Sequence, residues 1–552
     1  MIQVPRVGAA AVALAAVVGR PAGADTYPRQ PGVDVLHYAF RLTLSDDTDA
    51  IEGEATVAVR VAAGVGTLAL DLAQPKPETG GRGMTVTAVT EGGETLAFEH
   101  TGDRLRIPLA RREGTEERRE LVVRYHGVPG AGLLIAPNRH GDRTFFSDNW
   151  PDKARQWLPV VDHPSGKATS EFLVTAPARY QVVSNGLLVE ETDLPDGRRL
   201  THWRENAPIA PWLFALGVAR FAVEHRPEWR GRPLETWVYP QEREAGFRAF
   251  AEPTVAALSF FEDGIGPYAY ERLANVQANG IHGGMELATS IFYGDDSVGG
   301  SERRWDRVIV HEIAHQWFGD AVTEADWDDV WLSEGFATYF THLFVEHAEG
   351  RDAFVAGLRK DRDEVRAFDE KNPAYRVVHD NLSDMSQVLS GPGTYKKGAW
   401  TLHMLRGVIG DDAFWKGIRE YYRLYRDRNA STADFRHVME GASGQDLRFF
   451  FDEWLTRGGM LKVQGRWTWD APARALRLDL EQVQPGAPYR MPIDVAVEEA
   501  GHAAPRADRI DLRERRQTFV LPADREPRAV ELDPRDLVLM DATVARSDAG
   551  VR

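Results

Sequence analysis

Apolar and polar residues alternate in short runs through the first part of the chain, as in Ala55-Thr56-Val57-Ala58-Val59-Arg60-Val61, with Gly, Pro and Asp between the runs. A period of two puts successive side chains on opposite faces of a strand, so residues 25–222 predict an N-terminal β-sheet domain. Beyond residue 223 the period changes. Leu273 to Gln277 and Ile291 to Tyr293 still read as strands, and apolar positions then recur at helical spacing. Val308, Ile309, Ile313, Ala314, Trp317 and Phe318 form one such set, and Phe336, Tyr339, Phe340 and Phe344 a second that runs from about Trp331 to Glu346. Ser431-Thr432-Ala433-Asp434 supplies a helix N-cap, and a further helix carries Trp454. Residues 223–460 thus predict a mixed unit that begins with a short sheet and becomes helical. From Leu461 strand patterns return, Ala475-Leu476-Arg477-Leu478-Asp479-Leu480 among them, and predict a small C-terminal β-sandwich over 461–552. A chain of 552 residues is too long for one core, and a multidomain α+β fold of three units accounts for the pattern.

The first 24 residues form a different kind of segment. Arg6, the apolar run from Val7 to Val18 and the small residues Ala22-Gly23-Ala24 read as a secretory signal peptide, which predicts an exported protein, periplasmic or secreted. The segment is too short to span a bilayer, and no other stretch approaches 18 uninterrupted apolar residues, so no membrane span is expected. The absence of cysteine excludes disulfides, a thiolate nucleophile, cysteine-based metal sites and a cysteine lipid anchor. Loss of Arg6 and Arg20 with residues 1–24 takes the net charge from −17 to −19. Such a surface repels nucleic acid and anionic lipid, so no nucleic-acid partner is expected.

Against this background one motif carries chemistry. His311-Glu312-Ile313-Ala314-His315 places two histidines at i and i+4 on one helix face, where one divalent ion reaches both imidazoles, and Glu312 lies beside that ion without having to bind it. Glu334, 19 positions after His315 in Trp331-Leu332-Ser333-Glu334-Gly335, is carried by the next helix as a third ligand. Three protein ligands leave a fourth position for water, the arrangement of a hydrolytic site with one zinc ion per chain. Upstream, Gly283-Gly284-Met285-Glu286-Leu287 lies between the two predicted strands. Paired glycines suit a sheet edge that accepts a peptide as an added strand, and Glu286 then offers a carboxylate to a free amino terminus. Alone, the same residues read as an ordinary turn.

Together, Gly-x-Met-Glu, His-Glu-x-x-His and a glutamate at this spacing resemble the M1 family of zinc aminopeptidases, in its three-domain form. Asp34-Val35-Leu36-His37-Tyr38, Pro211-Trp212-Leu213-Phe214-Ala215-Leu216-Gly217 and Phe450-Phe451-Asp452-Glu453-Trp454-Leu455 extend the resemblance over most of the chain. It implies a thermolysin-like catalytic unit over 223–460, and an exopeptidase signature in which Gly283, Gly284, Met285 and Glu286 bind substrate and Glu286 holds the α-ammonium. It also implies a catalytic tyrosine, Tyr395 in Tyr395-Lys396-Lys397-Gly398-Ala399, to stabilise the oxyanion. The family's asparagine after the glutamate is Leu287 here, which removes one polar contact. Larger members carry a long helical domain after the sandwich; this sequence stops before one, so a closed substrate chamber is expected to be incomplete or formed otherwise.

The activity so implied is release of N-terminal residues from peptides with a free amino terminus, with Glu312 as general base. The competing readings are a metal endopeptidase, an epoxide hydrolase and a non-catalytic peptide-binding protein on the same fold. Asp320, and Glu324 or Asp326, are candidates to orient a ligand histidine, although acids are plentiful enough for all three to be surface residues. Asp148 or Asn149 stands where the family supplies a substrate-amine contact. His282, His403 and His437 lack ligand spacing and are expected in ordinary surface or core roles.

Overall fold

A computed structural model describes residues 25–110, 116–299, 302–499 and 504–547. The leader expected at residues 1–24 lies outside them. In the N-terminal region Ala168–Pro177 shows strict alternation of buried and half-exposed positions, as a strand must when one face packs on a core. It pairs parallel with Val33–Thr43 and antiparallel with Arg198–Ile209, as the third strand of an eight-stranded sheet. A four-stranded sheet holding Arg143–Ser147 and Leu216–Ala219 and a three-stranded sheet complete this β-rich part, and Tyr38, Phe40 and Phe172 each meet Phe214 edge to face in its core.

The chain then builds a five-stranded sheet in the order Ala222–Trp229, Arg232–Val238, Leu273–Ala278, Ser290–Gly294, Gly284–Met285. The shortest strand, Gly284–Met285, stands at the edge, paired antiparallel through Gly284 to Tyr293 and Met285 to Phe292. Among the described residues no strand pairs with its other edge, which faces a cleft. Helices follow: the motif helix Glu302–His315, a second helix Trp331–Glu349, and a third Arg351–Lys371. The second helix extends three residues beyond the span read from its aromatic stripe, to its stop at Gly350 with φ +92°. Ser431 caps Thr432–Ser443 with a capping box to Asp434, as read from sequence.

Two sheets close the chain. Arg516–Pro522, Ala475–Gln482, Leu461–Asp470 and Met540–Arg546 form one; Arg506–Leu512, Met491–Glu499 and Pro527–Leu532 form the other. Buried apolar side chains make one continuous cluster from Val35 to Met540. No helix among the described residues is long and apolar enough to cross a membrane.

Candidate functional site

A cleft of about 460 Å³ opens beside the edge strand and is lined by the expected ligands, base, tyrosine and substrate-binding residues: Gly283, Gly284, Met285, Glu286, His311, Glu312, His315, Glu334 and Tyr395. Ile309, Val310, Ile313 and Ala314 bury the rear of the motif helix, which leaves both histidines pointing into the cleft. His311 Nε2 and His315 Nε2 are 3.2 Å apart, and Glu334 Oε2 lies 3.5 Å from the first and 3.3 Å from the second. Ligands about 2.0–2.1 Å from a tetrahedral zinc stand about 3.3–3.4 Å from one another, so the three atoms fit one ion. Glu334 Oε2 is also buried without a hydrogen-bond partner, an acceptor aimed at a cation.

Electrostatics favour the same conclusion. Burial opposes a charge on His315, but the carboxylates of Glu286 and Glu334 outweigh it and hold the imidazole well above its ordinary pKa. The spot favours positive charge, which a divalent ion supplies. Burial alone would raise Glu334; His315 and His311 instead pull it down to about 2, so it is ionised and ready to ligate. Burial pushes Glu312 well above the usual carboxylate range, with Glu286 adding to the effect, and lifts Glu286 to about 7 against the attraction of His315. Tyr395 is driven well above 10 by burial and by the Glu334 charge, so its phenol keeps its proton.

Tyr395 occupies a π-helical turn, Gly391–Lys397, just before the helix Gly398–Ile409 rather than inside it. Such turns shift one side chain out of helical register. Its ring lies nearly parallel to that of His311, with centroids 6.2 Å apart. Contact between two glycines brings the turn here: a Cβ on Gly335 would stand 3.0 Å from Gly398 Cα, so the helix carrying Glu334 and the segment carrying Tyr395 meet backbone to backbone.

The histidine orienter differs from the acids considered in sequence. His315 Nδ1 lies 3.2 Å from the Phe318 carbonyl oxygen and 3.0 Å from Ser333 Oγ, and Gly319 makes room, since a Cβ there would sit 2.5 Å from Ser333 Oγ. Asp320, Glu324 and Asp326 do not take this role, nor are they surface acids. All three are buried: Asp320 accepts from Gln316 Nε2 at 2.6 Å, Asp326 caps the turn at Trp327, and neither Glu324 oxygen has a hydrogen-bond partner.

Gln316 follows the second motif histidine directly and carries no local signal of its role. Its Nε2 also donates to the Glu286 carbonyl at 2.9 Å and its Oε1 accepts from Thr289 N at 3.1 Å, tying the edge-strand loop to the motif helix. From the β-rich part, Trp150 lines the cleft, whereas Asn149 is buried between the Phe214 carbonyl and the Trp157 indole and Asp148 pairs with Lys153. Lys167 crosses from the same part to donate to the Asp320 and Ala321 carbonyls and to Thr323 Oγ1, at 2.8, 2.9 and 2.9 Å. His403 is buried against the Asp536 carbonyl and His437 is exposed, as expected, but His282 lines the cleft.

Residues 35–213 match the family model of the peptidase M1 N-terminal domain, and residues 250–454 that of the peptidase family M1 domain. Glutamyl aminopeptidase of Rattus norvegicus is 30% identical over 335 residues, covering 58% of this chain and 35% of that protein. A probable aminopeptidase 2 of Sulfurisphaera tokodaii is 26% identical, covering 68% of this chain and 49% of that one. The chain thus spans about a third to a half of the length of these curated relatives. Among solved structures, aminopeptidase A of Legionella pneumophila in complex with aspartic acid superposes with a TM-score of 0.79 at 20% identity, over 94% of this chain and 60% of that chain. A variant M1 zinc metallopeptidase of Deinococcus radiodurans superposes with a TM-score of 0.66 at 26% identity, over 77% and 95% respectively.

Proposed function

The chain belongs to peptidase family M1, and from that membership we propose that it is a zinc-dependent aminopeptidase, with one zinc per chain, that removes residues from peptides with a free amino terminus. The observation that carries this reading is a juxtaposition: three donor atoms within 3.5 Å of one another beside an edge strand that leads into Glu286, a buried carboxylate whose Oε1 has no hydrogen-bond partner.

His311, His315 and Glu334 would hold the ion. Zinc bound there supplies a Lewis acid for the scissile carbonyl and a water acidic enough to be deprotonated near neutral pH. Glu312, with its pKa raised by burial, is suited to take that proton and pass it to the leaving amine. Tyr395 donates its phenolic hydrogen to the oxygen that gains charge in the transition state. Glu286 receives the substrate's α-ammonium, which satisfies its orphan oxygen and sets the register so that one residue lies between the amine and the cleaved bond. Gly284 and Met285 present the free strand edge along which the peptide backbone pairs. An endopeptidase would leave the buried Glu286 without a cation, which disfavours that alternative.

The test compares free aminoacyl-arylamides with their N-acetyl counterparts, with glutamyl and aspartyl members included because of the names of the relatives above. Strong cleavage of the free series and little of the acetylated one is expected. Comparable rates on both would remove the aminopeptidase reading and leave the zinc hydrolase. The reading also has the chain exported on the strength of residues 1–24. Recovery of protein from periplasm or medium with Asp25 as its first residue checks it.

A further inference from the structure

The cleft changes sign along its length. His315 lies 4.0 Å from Glu286, which puts the amine end at the C-terminal end of the motif helix. Going back along that helix, His311 is one turn away and Arg307 a further turn, about 12 Å from His315 along the axis. The leaving side of the cleaved bond therefore runs toward Arg307, which lines the cleft together with His282, the residue before the paired glycines. Among the described residues, Arg307 is only loosely committed. Its partner Glu349, at 3.4 Å, stands outside the cleft lining, and the two side chains are 51% and 43% exposed. Lys396, by contrast, is held between Asp361 at 3.3 Å and Glu364. On a chain of net charge −17, a cation placed at the cleft mouth with so little engagement is set apart from the prevailing field.

We infer that Arg307, assisted by His282, forms a carboxylate-binding subsite on the leaving side, so that the enzyme favours short zwitterionic peptides. A substrate of two or three residues advances about 3.3–3.6 Å per residue, and the long arginine side chain covers part of the remaining span, so its terminal carboxylate comes within reach of the guanidinium. The ammonium sits at the acidic end and the carboxylate at the basic one. An acidic side chain just past the cleaved bond presents the same chemistry. This inference rests on the aminopeptidase reading.

The experiment measures kcat/KM of the zinc-loaded enzyme on a dipeptide with a free carboxylate, on its C-terminal amide, and on an amide carrying aspartate at the second position, with an aminoacyl-arylamide as the control for aminopeptidase activity. The free dipeptide or the aspartyl amide is expected to exceed the neutral amide by about tenfold, the first identifying a terminal carboxylate and the second a side chain as the source. That ratio should fall at high salt, approach one in Arg307→Gln, invert in Arg307→Glu and survive partly in Arg307→Lys. A wild-type ratio near one, or a ratio that Arg307→Gln leaves intact, overturns the subsite. An inert arylamide control instead overturns the aminopeptidase reading itself, and zinc content confirms that each variant is folded and loaded.

Discussion

Gly284 lies against Glu312 so closely that a Cβ added to it would stand 2.3 Å from the Cγ, Cδ and Oε1 atoms of the glutamate. Its backbone is not in the left-handed region, so glycine is needed here for space alone. Gly283 is the opposite case: its φ is +82° and nothing lies within 4 Å of an added Cβ. Gly284→Ala should therefore fold and bind zinc yet displace the proposed base. Since misplacing a catalytic group by about 1 Å costs about 100-fold, kcat should fall by that order. Gly283→Ala should instead cost about 1–2 kcal/mol of stability through backbone strain. Kinetics and thermal melts of both variants check the contrast, and a Gly284→Ala enzyme with full kcat would mean that Glu312 need not stay where it stands.

Metal and base should separate. His311→Ala or Glu334→Ala removes one of three donors, and both zinc and activity should be lost, with chelation of the native enzyme giving the same result. Glu312→Gln keeps the donor set and should retain about one zinc per chain while losing most of kcat. Elemental analysis beside turnover decides. A metal-free chain with full activity ends the zinc reading, and joint loss of metal and activity in Glu312→Gln gives that residue a structural role.

Tyr395→Phe keeps the ring that stacks on His311 and removes only the hydroxyl. A donor that acts on the transition state should cost about 100- to 1000-fold in kcat with little change in KM. A raised KM at unchanged kcat would make Tyr395 a binding residue.

Lys167 braces the turn after the zinc motif from the neighbouring β-rich part, with its side chain half-buried. Burial depresses its pKa to about 8, so the fold bears a charge there for the sake of three acceptors. Lys167→Met removes three hydrogen bonds while the Asp427 amide still serves the Ala321 carbonyl and Thr323 Oγ1 still serves the Asp320 carbonyl, and it should cost about 1–3 kcal/mol. Differential scanning calorimetry should show the transition lowered by several degrees. An unchanged transition would mean that the Asp427 amide and the Thr323 hydroxyl suffice to hold the turn.

The zinc motif was legible because its logic is local. His311 and His315 share a face through helical periodicity alone, Glu312 follows from the same spacing, and strand alternation in Ala55 to Val61 and Ala475 to Leu480 needs only neighbouring residues to be read. The capping box at Ser431 and Asp434 is equally local. The fold class and the family rest on such signals. What the linear pattern left open depends on contacts between segments far apart. Acids were the natural candidates to orient His315, yet a backbone carbonyl and Ser333 do so, because the turn at Gly319 folds the chain back onto the second helix. Asp320, Glu324 and Asp326 carry no mark of burial in sequence, and only tertiary packing takes them out of water. Trp150 rather than Asn149 reaches the cleft because Asn149 is spent on Phe214 and Trp157. Periodicity determined which faces and ligands exist; the meeting of Gly335 with Gly398 and of Gly284 with Glu312 decided where they stand, since close approach is a property of two surfaces and neither sequence segment states it alone.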